Sequence, residues 1–96
     1  MALRTSEVDF EDDRIKVNRL TFAAKGDETG IHVHDFDYLV VPLSGGDLVV
    51  TAADGSTRDL HQEPGVTYTG VIGTTHNVTS ASDKPVVFIE IEFKSV

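Results

Sequence analysis

The chain has 96 residues, contains no cysteine, and carries 16 acidic against 8 basic residues, for a formal net charge of -8 at pH 7. This length predicts one domain over residues 1–96, and the absence of cysteine excludes disulfides and thiolate metal ligands. The acidic balance argues against nucleic acid or an anionic membrane as a partner, and the lack of a long apolar run predicts a cytoplasmic protein.

Short strand candidates separated by turn residues follow one another along the chain. Asp54-Gly55 is a strong hairpin signal, and no segment has a helical hydrophobic period of useful length. The candidates lie at residues 7–10, 14–23, 31–43, 48–52, 57–61, 66–69, 76–80 and 86–94. Many short strands at this spacing predict an all-β sandwich or barrel.

The segment 14–23 carries Arg19 among apolar residues. We interpret Arg19 as an exposed or salt-bridged residue, with a bidentate clamp for a substrate carboxylate as the alternative.

A domain this small buries limited apolar surface by itself, so a homodimer is predicted. Candidate interface residues are Ile15, Val17 and Leu20.

The segment 31–43 opens with His32-Val33-His34. Side chains two apart on a strand share a face, so this pair places two imidazoles close enough to hold one metal ion. A third histidine, His76, stands in a second strand candidate. Imidazole suits several transition metals, and three protein ligands leave positions open for water or substrate. The alternative is that the pair lies in a polar loop without a partner.

The same segment is apolar on both faces further along. Leu39 and Val41 lie on one face, and Tyr38 and Val40 lie on the other. A strand of this kind is usually covered on both sides. The pattern therefore indicates a second sheet on one side and a partner subunit on the other.

The closing segment 86–94 alternates between two faces. The sequence favours one face in the core and the opposite face largely in solvent. The alternative is that Glu90 points into a polar cavity. The expected core face carries Val87, Ile89, Ile91 and Phe93, and the opposite face carries Val86, Phe88, Glu90 and Glu92.

Two further residues carry open interpretations. His61 precedes a turn and is interpreted as a surface histidine. Tyr68 is either a core aromatic or a pocket residue.

Two spaced motifs place glycine and histidine in a specific order. The pair resembles the two motifs of the cupin superfamily, G-x5-H-x-H-x3,4-E-x6-G and G-x5-P-x-G-x2-H-x3-N. The matching residues are Gly26, His32, His34, Tyr38 and Gly45 in the first motif, and Gly65, Val71, Gly73 and His76 in the second. The resemblance implies a jelly-roll β-barrel filling the single domain. It also implies that His32, His34 and His76 hold one divalent transition metal ion: Zn, Ni, Fe or Mn.

The chain departs from the cupin pattern at three places. Tyr38 replaces the usual glutamate ligand, Val71 replaces the proline, and Ser80 replaces the asparagine. The resemblance therefore implies a neutral three-histidine site, with Tyr38 near the metal as a hydrogen-bond donor or weak ligand. Asp37 has the wrong strand parity to replace the missing carboxylate unless a bulge intervenes. Residues 32–43 and 70–78 also resemble small cupins named for β-alanine degradation.

The resemblance leaves three functions open, because one fold hosts many. The first is a metal-dependent enzyme, oxygenase-like or of Lewis-acid type, acting on a small organic acid with Tyr38 as the catalytic donor. The alternative is a non-catalytic module that binds or senses a small molecule through the metal. The third is a structural dimer with a vestigial site.

Overall fold

The computed structural model describes residues 2–94 as an all-strand fold. Its strands are β1 (Thr5–Glu11), β2 (Ile15–Phe22), β3 (His32–Val33), β4 (Asp37–Pro42), β5 (Gly46–Ala52), β6 (Thr57–Gln62), β7 (Tyr68–Gly70), β8 (Thr75–Ser80) and β9 (Val86–Phe93). They form two antiparallel sheets, β1-β2-β9-β4-β7 and β3-β8-β5-β6. The predicted all-β jelly-roll barrel is confirmed.

The predicted strand 31–43 is two strands, because the chain changes sheets within it. Strand β3 pairs with β8 in one sheet, whereas β4 pairs with β9 and β7 in the other. Between them, the backbone N–H of His34 donates to the carbonyl of Thr74 at 2.9 Å. The His34 carbonyl accepts a hydrogen bond from the Gly73 N–H at 2.8 Å. These two bonds fasten the crossover to the turn that precedes β8.

The interior of the barrel is apolar at one end and polar at the other. At the apolar end, Phe22 and Phe88 stack with ring centroids 5.8 Å apart. Along the same face of β2 and β9, the next cross-strand pair is Asn18 with Glu90. The buried core consists of Leu20, Phe22, Tyr38, Val40, Leu48, Val50, Val78, Val86 and Phe88. The core therefore closes one end of the barrel and leaves a polar cavity at the other.

The expected orientation of the closing strand is wrong. Val86 and Phe88 are buried, so their face of β9 is the inner one, and Glu90 points into the cavity with them. Side chains along β9 alternate between two faces, and both faces start with apolar residues, so the pattern alone does not say which face is buried. Closure of the barrel decides which face turns inward.

The outer face of the larger sheet is apolar. It carries half-buried residues from three neighbouring strands: Ile15, Val17, Leu39, Val41, Val87, Ile89 and Ile91. Of the three predicted interface residues, Leu20 lies in the core with 7% of its surface exposed, so it cannot belong to this face. Leu20 differs from Ile15 and Val17 in strand parity, which sends it inward.

No helix in residues 2–94 is long and apolar enough to cross a membrane.

Candidate metal site

Three histidines from two adjoining segments converge at the polar end of the barrel. His32 on β3 is the register partner of His76 on β8, and His34 follows β3 directly. The Nε2 atom of His34 lies 3.1 Å from that of His32 and 3.0 Å from that of His76. Nitrogens this close can all reach one ion at bond lengths of about 2.0–2.2 Å. The donor set therefore fits a divalent transition metal, as the cupin resemblance implies.

Neighbouring groups contact two of the three rings. Nδ1 of His32 lies 2.9 Å from the carbonyl of Gly30, so it donates its N–H there and leaves Nε2 free to bind a metal. Nδ1 of His34 faces Glu90 Oε1 at 3.7 Å. The hydrogen bond to Gly30 fixes the tautomer and direction of the His32 ring, whereas the contact between His34 and Glu90 is longer than a hydrogen bond.

Burial keeps two of the imidazoles neutral. Desolvation, reinforced by the charges of His32 and His76, lowers the pKa of His34 to about 4. Desolvation, with His32 and Arg58 adding to it, lowers the pKa of His76 to about 4. Neutral imidazole is the form that binds a metal. The site is thus prepared for a cation at neutral pH, and the contact between His34 and Glu90 is not an ion pair there.

Tyr38 lies in the same cavity, at the position where cupins usually carry glutamate. Its ring stacks on that of His34, with centroids 3.9 Å apart and planes 19° from parallel. Burial, with smaller contributions from Glu90 and Tyr68, raises the pKa of Tyr38 to about 12. In the metal-free protein the hydroxyl therefore keeps its proton at neutral pH and can donate a hydrogen bond.

Gly70 makes room for the ring of Tyr38. The two residues are register partners on β7 and β4, and a Cβ on Gly70 would overlap the ring carbons and the hydroxyl oxygen of Tyr38. Gly70 is not among the glycines with positive φ, so the backbone itself would accept a side chain. Residue 70 must therefore be small, because the Tyr38 ring fills the space between β7 and His34.

We expect Gly70→Ala to destabilise the protein by about 1–3 kcal/mol, because the added methyl must displace a buried ring. Urea unfolding of Gly70→Ala, Tyr38→Leu and the double variant measures the coupling. The alanine should cost much less where Tyr38 has already been replaced. Strictly additive effects would show that the two residues do not interact.

Two acidic residues that the sequence left open take different positions. Glu90 lies inside the cavity, where burial and then the charge of Glu92 raise its pKa to about 7, partly offset by Arg4. Asp37 is exposed, and its Oδ1 accepts a hydrogen bond from the Ile72 N–H at 2.8 Å. Asp37 and Glu90 lie on opposite faces of the same sheet. The pairing of β4 with β9 has no bulge that would turn Asp37 towards the site.

A cavity of about 680 Å³ extends from the histidines between the two sheets. Sequence reasoning missed several of its polar residues, including Arg4, Asn18 and Arg58. Arg58 had a usable signal, since it stands two residues before the inward-facing Leu60 on β6 and therefore shares its face. Arg4 had none, because only the tertiary path of the N-terminal segment brings it to the cavity.

Three other candidates also have clear positions. Arg19 points outward and pairs with Asp9 at 3.0 Å, in agreement with its interpretation as a salt-bridged residue. His61 is exposed between Asp47 and Glu63, outside the cavity. Tyr68 lines the cavity and packs against the core, so it combines both of its proposed roles.

Comparison with known proteins gives relatives in sequence and in structure. The beta-alanine degradation protein BauB of Pseudomonas aeruginosa is 44% identical over 71 residues, which are 74% of this chain and 74% of that protein. A cupin domain from Bordetella pertussis Tohama I has a TM-score of 0.92 at 37% identity, over 98% of this chain and 96% of that one. No protein-family model matches the chain.

A more distant structure shares the fold alone. A conserved protein with a double-stranded beta-helix domain from Klebsiella pneumoniae has a TM-score of 0.78 at 19% identity, over 96% of this chain and 77% of that one. The sequence motifs, the jelly-roll barrel and the two nearer relatives agree. The chain belongs to the cupin superfamily and is related in sequence to BauB.

Proposed function

We propose that the protein is a metal-dependent enzyme acting on a small organic acid. The observation that carries the proposal is the convergence of three histidine nitrogens on the wall of a cavity large enough for a small molecule, with Nε2 of His34 3.1 Å from that of His32 and 3.0 Å from that of His76. His32, His34 and His76 would hold the ion, which we propose to be Zn, Ni, Fe or Mn. All four metals accept imidazole, so availability would decide which one is bound.

The bound ion would supply Lewis-acid or redox chemistry, and the protein would position the substrate and its protons. Tyr38 is proposed as the donor, because its hydroxyl stays protonated beside His34. Glu90 is proposed as a positioning residue that orients His34 through Nδ1. The name of the relative BauB refers to degradation of β-alanine, itself a small acid, which supports the proposed substrate class.

The proposal is tested by turnover. Metal-free protein, prepared without a histidine tag, is loaded with each of the four metals and given β-alanine and related short acids. Product formation and oxygen consumption are followed together. Turnover that requires metal and disappears in His76→Ala would support an enzyme. Binding of these acids without any product would favour the alternative, a metal-dependent binding or sensing module.

We also propose that the apolar outer face of the larger sheet packs against a second copy of the chain. Half-buried residues of β2, β9 and β4 form a continuous apolar surface there, including Val17, Leu39 and Ile91. A surface of this kind is stabilised by burial against a partner. Light scattering should give the mass of a dimer at high micromolar concentration, and a monomer would contradict the proposal.

A further inference from the structure

The cavity contains cationic side chains that have no anionic partner within the described part of the chain. Arg4, Lys16 and Arg58 line it, which is three of the eight Lys and Arg in the sequence. Within residues 2–94, none of the three forms an ion pair at 4 Å or less. What distinguishes these three cations is their shared position on one cavity, where they can meet an anionic ligand together.

Arg58 extends into the cavity from the edge of the smaller sheet. Its register partner on β5 is the buried Val50, so the two side chains share the inner face. The positive charge of Arg58 lowers the pKa of His76 and opposes the rise in the pKa of Tyr38, which indicates that it lies near both. Arg58 is also exposed to solvent. It can therefore meet an incoming molecule at the opening and still face the histidines.

Arg4 reaches the cavity from the N-terminal segment. Its backbone N–H donates to the Glu28 carbonyl, and the Glu28 N–H donates to the Ala2 carbonyl, each at 2.9 Å. These bonds hold the stem of the side chain against the barrel. The Nε of Arg4 is buried and has no hydrogen-bond partner among residues 2–94. This nitrogen is closed to solvent, so the outer nitrogens of the guanidinium are the ones that can face a ligand in the cavity.

Asp35, Glu90 and Glu92 are acidic residues that line the cavity, and within residues 2–94 none of them forms an ion pair with Arg4 or Arg58. Glu92 accepts a hydrogen bond from Asn18 Nδ2 at 2.7 Å, and Glu90 faces His34. Further along the same sheet, on β7, the hydroxyl of Tyr68 accepts from Gln62 Nε2 at 2.8 Å, which leaves its own proton free to donate. The cavity thus offers donors to a ligand, beside a site that would carry a metal cation.

We infer that the cavity binds a short bifunctional acid, with its carboxylate on Arg58 and Arg4 and its other polar group towards the three histidines. The inference rests on the proposed function and specifies its substrate class. A guanidinium holds a carboxylate through two parallel N–H donors, which gives both affinity and direction. A neutral amide of the same shape lacks the charge that this arrangement recognises.

The test compares malonate with its monoamide, malonamate. Both offer one carboxylate to a metal, and only malonate offers a second to the arginines. Isothermal titration measures the dissociation constant of each for the wild type, Arg58→Gln, Arg4→Gln and Arg14→Gln, with zinc and without metal. Arg14 is exposed and lies outside this cavity, so its variant has the same change in net charge without loss of a cavity cation.

The wild type should prefer malonate, and Arg58→Gln and Arg4→Gln should each bind malonate about 10- to 100-fold more weakly. Arg14→Gln should match the wild type. Equal losses in all three variants, or none in the cavity variants, would overturn the inference. The metal-free series separates the two proposals. If zinc does not bind, the proposed function fails, while binding of malonate to metal-free protein that is weakened in Arg58→Gln and Arg4→Gln but not in Arg14→Gln would still support the inference.

Discussion

Replacing His76 with alanine should lower the affinity for zinc by about 100-fold or more, because the variant removes one of three protein ligands and leaves an incomplete donor set. The barrel should still fold. His76 lies at the polar end, away from the apolar packing of Phe22 and Phe88. Metal content by elemental analysis and affinity by competition with a chelator measure the effect, on protein purified without a nickel column.

His61→Ala is the matched control. His61 is also a histidine with two carboxylate neighbours, but it is exposed and lies outside the cavity. Its variant should bind zinc as the wild type does. Equal losses in His61→Ala and His76→Ala would mean that surface histidines hold the metal, and full occupancy in His76→Ala would contradict the three-histidine site.

The stabilisation by metal should disappear as the pH falls below neutral, because protons compete with the ion for the imidazoles. Even without metal, His34 and His76 have a folded pKa of about 4 against an ordinary value of 6.5. The unfolded chain therefore binds protons at higher pH than the folded chain. Stability from the neutral imidazoles is present above pH 6.5 and is lost as the pH falls towards 4.

Glu90 acts in the opposite direction over an overlapping range. Its folded pKa of about 7 exceeds the ordinary 4.5, so the folded chain holds this proton more tightly than the unfolded chain. The stability it contributes is present below pH 4.5 and is lost as the pH rises through 7. In metal-free wild type, the opposing slopes partly cancel. Glu90→Gln removes one of them, so its stability should fall more steeply than that of the wild type between pH 7 and 5.

Thermal melts of wild type and Glu90→Gln, each with zinc and with chelator, measure these slopes from pH 7.5 to 4.5. The difference between the zinc and chelator curves should shrink towards acid pH in both proteins. Glu7→Gln, on the exposed strand β1, provides a charge-matched control that should follow the wild type. Zinc and chelator curves that coincide at every pH would show that the folded protein holds no metal through these histidines. A Glu90→Gln slope equal to that of the wild type would contradict the buried carboxyl.

Much of the fold and the histidine site could be predicted from local sequence. Turn residues at short intervals indicate an all-strand chain, because glycine, proline and aspartate limit the length of each strand. The spacing around His32, His34 and His76 carries the cupin resemblance, and the structure brings the ligand atoms of all three within 4.8 Å of one another. Strand parity also places Tyr38 on the face of the histidines and Asp37 on the opposite face.

The tertiary structure alone decided which face of each strand turns inward and which distant residues meet. Alternation along β9 separates Phe88 and Glu90 from Ile89 and Ile91, but it does not say which set lines the cavity. Closure of the barrel settles this for the whole strand at once. Arg4 and Arg58 lie far apart in the sequence and share one cavity only because the N-terminal segment and β6 approach it from different sides. Local periodicity records relative orientation within a strand, whereas contacts between distant strands depend on pairing and register, which no single segment encodes.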